Sequence, residues 1–287
     1  MSDWLLFDPL FRLPFFVGLL LAAGLSLIGA LLRMRNEWLA ALGLSQIAAA
    51  GGMIAVLLHV PVLIGAFGAA GLAMLVRSAL PKVGNSHYAA MILLGWSAVL
   101  LLGSFMDHGR TIGESLLLGQ LYFTYTPHLL GAAALLILAV ALFPWLSPRL
   151  LVARFFPDYH AANRVRVWPY RVAFALLTLL AAVFGTISIG AFPAFAMLFV
   201  PPWVGFVLVD GWARSVVISV SIGVTTYLVA FILALFLDLP FGPVLVALLV
   251  LTGSLRFLTA LRRRNVELSG DDTQVNYLAP PPSAKTD

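Results

Sequence analysis

The sequence predicts an all-α polytopic membrane protein with about nine transmembrane helices, and three observations carry that prediction. Of 287 residues, 62% are hydrophobic and 10% charged, with a mean hydropathy of +1.02, so too little polar surface remains to coat a water-soluble domain. The apolar residues fall into nine runs bounded by charges or by Pro and Gly, each close to the length that crosses ~30 Å of hydrocarbon at ~1.5 Å per residue. Of the 17 Lys and Arg, all but Arg12 and Arg110 lie on one side of those runs.

Residues 1–12 are acidic and aromatic and are expected to form an extracytoplasmic N-terminus. No small-residue cleavage site follows the first apolar run, which therefore reads as a retained helix rather than a signal peptide. The expected spans are 13–33, 38–58, 60–80, 88–105, 125–146, 168–188, 189–209, 214–237 and 240–260, a single transmembrane domain over 13–260. The remainder, 261–287, is rich in Ser, Asp and Pro and is expected to be a disordered cytoplasmic tail. By the positive-inside rule the arginine-rich side is cytoplasmic, which places the N-terminus outside and the C-terminus inside, as an odd number of spans requires. The net charge of +5 is thus a topology signal and gives no support to a nucleic-acid partner. The absence of cysteine excludes disulfides, thiolate metal sites and cysteine nucleophiles.

Between the spans, Ser147 to Pro169 is expected as the longest cytoplasmic link, and Phe105 to Phe123 as a long outer loop. Polar residues within spans are few. Gln46, beside Ser45, either bonds to a neighbouring helix or lines a solute pathway. His59, His108 and His128 are expected near the outer face, either as unrelated surface histidines or as an entry site for a metal ion. Tyr122, Phe123 and Tyr125 fit an interfacial aromatic belt. No nucleotide-binding lysine motif or hydrolase motif occurs, so the chain is not expected to be an enzyme or to need a cofactor.

The stretch Gly185 to Arg214 is the most informative. Ile189 to Val209 carries no charge, and Pro201-Pro202 is expected to break its helix about two thirds of the way along. The piece from Trp203 to Val209 would then lie near the membrane face. Gly190, Ala196 and Pro201 resemble the signature of the ABC-3 family of ABC transporter permeases, membrane subunits of bacterial zinc, manganese and iron importers. Further similarity lies in Phe155, Phe156, Pro157 and Asp158, in Leu118-Gly119-Gln120-Leu121, and in Leu237-Asp238-Leu239-Pro240-Phe241-Gly242-Pro243.

The resemblance implies a homodimeric permease in the bacterial inner membrane, working with ABC ATPase subunits and an extracytoplasmic substrate-binding protein. It implies ATPase docking through Pro201, Pro202, Trp203, Val204, Val207, Asp210 and Arg214, together with Phe155, Pro157 and Asp158. It also implies a metal pair, Asp-x-x-x-His, on the second span. Here the matching positions hold Leu42 and Gln46, so both expected ligands are missing. The expected cargo is a metal ion or chelated metal. The alternatives are a non-metal small solute or a non-transporting scaffold with the same fold. A proton-coupled carrier is disfavoured because no ionisable group lies mid-span.

Overall fold

The computed structural model describes residues 9–35, 37–79, 84–119, 121–156, 158–254 and 256. In order the helices are α1 (Pro9–Arg35), α2 (Trp38–Leu57), α3 (Val62–Ala79), α4 (Asn85–Ser104), α5 (Gly109–Leu118), α6 (Thr126–Phe155), α7 (Tyr159–Ala162), α8 (Trp168–Ile189), α9 (Ala191–Leu208), α10 (Trp212–Phe236) and α11 (Phe241–Ser254). Seven are long and apolar enough to cross a membrane, and α3 and α11 contain shorter apolar helices. Among the described residues these occupy the nine expected positions, so the all-α membrane fold stands.

Several boundaries differ from expectation. Helix α1 starts at Pro9, ahead of the expected 13, so Leu10 to Arg12 belong to a helix. Helix α6 runs on through Pro148 to Phe155, since Leu146, Ser147 and Leu150 are buried against its neighbours. The link expected as cytoplasmic is therefore shorter than Ser147 to Pro169 and, among the described residues, contains the four-residue α7. Within the stretch expected as the long outer loop, Gly109–Leu118 form α5, an amphipathic helix that buries Leu116 and Leu117 and leaves Arg110 and Glu114 outward.

Helix α1 is the axis of the molecule. Leu21, Leu25, Ile28 and Leu31 are fully buried, and α6, α8, α9 and α10 pack around them. Helices α2 and α3 approach through small residues: a methyl at Gly65 would meet Ala55, and one at Gly51 would meet Ala69, the close packing that membrane helices use in place of a hydrophobic driving force. Leu72, Leu93, Leu94 and Ile137 on α3, α4 and α6 point outward, as lipid-facing residues do.

The expected break at Pro201-Pro202 does not occur: α9 is continuous from Ala191 to Leu208. Prolines remove the amide hydrogens that would bond the carbonyls of Met197 and Leu198. The Leu198 carbonyl is pressed against Gly29 of α1, where Cα–H contacts lie close to it. Beyond the prolines, the Arg256 guanidinium donates to the Trp203 carbonyl at 3.1 Å and lies over the Trp203 ring at 4.7 Å. The Gly29 contact thus offsets part of the ladder that Pro202 interrupts at Leu198, as neighbouring helices do for prolines within membrane bundles; the Arg256 contact is a separate anchor on the last turns of α9.

Candidate functional site

The mid-membrane candidates sit on α2, where the 3.6-residue period puts positions 42 and 46 on one face, a turn apart. Leu42 is half-buried, whereas Ser45 and Gln46 are 0% exposed. Neither the oxygen nor the nitrogen of the Gln46 amide, nor the Ser45 hydroxyl, finds a hydrogen-bond partner among the described residues. Helix α4 packs onto this turn through Gly95, where a methyl would lie 2.6 Å from the Gln46 carbonyl oxygen. From α8, the Thr186 hydroxyl donates to the Ser45 carbonyl at 3.4 Å. A buried amide without partners costs roughly 1–3 kcal/mol relative to a satisfied one.

The three histidines have separate surroundings. His59 and His108 are exposed, with left-handed backbone at φ 58° and 62°. His128 is half-buried, and its Nδ1 accepts the Tyr125 amide hydrogen at 3.1 Å, closing the first turn of α6. That bond gives His128 a structural task at a helix start. Among the described residues, no three His, Asp or Glu side chains come together as a metal-holding group. At the same end Tyr122 packs edge-on against Phe11, and burial, with Asp238 nearby, raises its hydroxyl above the usual range.

Glycines from three of the sequence motifs come together at this end of the bundle. Gly119 and Gly190 have φ of 90° and 95°, conformations that side chains rarely tolerate, and their backbones touch. Gly242 at the start of α11 lies against the Leu118 carbonyl. The end of α5, the α8–α9 corner and α11 are thus joined at one point. The sequence motifs marked these glycines individually, but their meeting is visible only in three dimensions.

At the opposite end the arginines gather. Arg33 lies over the Phe206 ring at 5.0 Å, Arg35 over Phe174 at 5.1 Å, and Arg77 over Tyr88 at 5.3 Å. This face also holds the candidate docking residues. Phe155, Phe156 and Tyr159 are exposed, as are Asp158, Asp210 and Arg214, while Trp203 and Val207 are half-buried. Pro201, Pro202 and Val204 are buried; Val204, at 0% exposure, faces the core of this chain and offers no surface. Pro157, Gln120, Lys82 and the tail 261–287 lie outside the described residues.

The model of the ABC 3 transport family matches residues 8–260. No curated protein matches the chain. Among solved structures, PsaBC from Streptococcus pneumoniae in complex with Fab has a TM-score of 0.74 at 16% identity, covering 91% of this chain and 95% of that one. A structure described as an inward-facing conformation of a metal-chelate type ABC transporter has a TM-score of 0.64 at 19% identity, covering 87% of this chain and 85% of that one. At these identities the likeness establishes the fold alone.

Proposed function

The chain belongs to the ABC 3 transport family, and from that premise we propose that it is the membrane permease of an importer whose cargo is a chelated metal, driven by a separate ATPase. The observation that carries the choice of cargo is Gln46. Its amide is fully buried without a partner, and the residue one turn before it is Leu42. One neutral amide and a leucine offer a bare divalent ion little in exchange for its water shell. A chelated ion brings its own ligands and so does not depend on a metal-ligating pair on α2. The metal-chelate description of one structural neighbour supports the same reading.

The arginine-rich face is proposed as cytoplasmic. There the ATPase would dock on Phe155, Phe156, Asp158, Val207, Asp210 and Arg214, which surround the α7 link and the turn after α9. A second copy of the permease and an outer binding protein would complete the complex, in a bacterial inner membrane.

The test is co-expression with the candidate ATPase, followed by ATP-driven uptake in proteoliposomes of zinc or iron supplied as a citrate chelate or as the free ion. Uptake of the chelate alone is expected. Equal uptake of the free ion would overturn the cargo assignment, and failure to copurify any ATPase would overturn the partner assignment. Arg214→Glu with Phe155→Asp should release the ATPase while leaving the permease folded, since both side chains are exposed.

A further inference from the structure

Two adjoining hollows of about 300 and 580 Å³ open at the arginine-rich face and share Arg35, Glu37 and Arg171. Arg154 lines the smaller and Arg77 the larger. Four guanidinium groups therefore face one carboxylate. Both Glu37 oxygens are already engaged, Oε1 by Arg35 Nη2 at 2.8 Å and Oε2 by Arg77 Nη2 at 2.6 Å. Among the described residues no carboxylate pairs with Arg154 or Arg171, so the hollow keeps a net positive charge and unused donors.

Its walls change character with depth. Arg77 and Ser78 stand at the end of α3, with Met74 a turn deeper; on α8, Trp168 and Arg171 stand at the start, with Val172 and Ala175 deeper. Beside it, Leu75, Val76 and Leu176 are exposed by 67%, 54% and 51%, forming apolar strips continuous with the lipid-facing surface. Tyr88 and Trp168 add aromatic rings at the level where membrane proteins meet headgroups.

We propose that this hollow binds the phosphate headgroup of an anionic phospholipid, with an acyl chain running along Met74, Val172 and the strip beside them. Basic recesses between helix ends recognise such headgroups by charge and by the planar donors of arginine. A free anion would satisfy the guanidinium groups and leave the apolar wall uncovered, and so would an acidic side chain of a docked protein. A lipid covers both.

The test is native mass spectrometry of the delipidated chain titrated with phosphatidylglycerol or phosphatidylcholine, for the native protein and for Arg154→Gln with Arg171→Gln. Both arginines are exposed, so the variant should unfold at the native temperature. Phosphatidylglycerol should bind more tightly than phosphatidylcholine, and the double variant should lose roughly 30-fold for phosphatidylglycerol only, two surface charges' worth of attraction. Millimolar inorganic phosphate should fail to displace the lipid. Equal affinity for the two lipids, or an unchanged double variant, overturns the proposal. Displacement by inorganic phosphate would identify a free-anion site instead. Loss of a copurifying ATPase with lipid binding intact would identify a protein-docking site, and the lipid assignment would fail.

Discussion

The carbonyl oxygen of Leu198 on α9 lies against the α-carbon of Gly29 on α1, and Pro202 is the residue whose missing amide hydrogen leaves that carbonyl free. The two helices can approach this closely because position 29 has no side chain. Gly29→Ala would place a methyl on the carbonyl, and backbone on both helices would have to move. A loss of about 1–3 kcal/mol is expected, seen as a lower unfolding temperature in detergent. Gly68→Ala on α3, with nothing within 4 Å, should be neutral or slightly stabilising. Equal behaviour of the two variants would contradict the contact.

This pair also shows where the sequence was legible and where it was not. Uncharged runs and segregated arginines revealed the nine apolar helices, because hydrocarbon imposes length and polarity on every segment. Pro201-Pro202 pointed to a break because local rules count only the lost hydrogen bonds; the compensating contact at the Leu198 carbonyl comes from Gly29, which is remote in sequence. Val204 was assigned to a docking surface for the same reason, since nothing local to it shows that α1 and its neighbours cover it. The positions of Leu42 and Gln46 followed from the family resemblance, whereas the orphaned state of the Gln46 amide is visible only in three dimensions.

Gly119 and Gly190 should behave as one unit. Each needs a positive φ, and each faces the other's backbone. Alanine at either should cost about 1–3 kcal/mol from backbone strain, plus the overlap. Once one substitution has pushed the α5 end away from the α8–α9 corner, the second has less contact to lose. Unfolding midpoints of both single variants and the double variant should give a double-variant loss smaller than the sum; strict additivity would mean that the two sites do not meet.

Topology is testable because the native chain has no cysteine. Gly109 is a poor site for a reporter, since it is buried and its backbone meets Gly103; the exposed Arg110 beside it is better. With the arginine-rich face cytoplasmic, Arg110→Cys should react with an impermeant maleimide in intact cells or spheroplasts, and Asn163→Cys only after permeabilisation. The reverse pattern would invert the orientation and, with it, the side proposed for the ATPase.

Gln46 and Leu42 give the sharpest separation of packing from function. If the buried amide serves only the fold, removing it should leave the protein no more stable. If it is held without partners in order to meet cargo, Gln46→Leu removes an uncompensated polar group and should raise stability by up to about 1–3 kcal/mol while chelate uptake falls. A parallel loss of stability and uptake would instead mean that the amide is bonded in the working protein. Introducing the ligands approaches the same site from the other side. Leu42→Asp with Gln46→His places a carboxylate and an imidazole one turn apart on α2, a spacing that suits a shared divalent ion. Position 42 is half-buried while position 46 is 0% exposed, so the carboxylate should account for less of the folding cost than the imidazole packed beneath Gly95. The variant should be destabilised when metal-free, and zinc should recover stability in proportion to the logarithm of its concentration, because only the folded state presents both ligands. A zinc-dependent rise in unfolding temperature absent from the native chain, and lost again in either single variant, is the expected result; the same rise in the native chain would show that Gln46 already takes part in holding a bare ion.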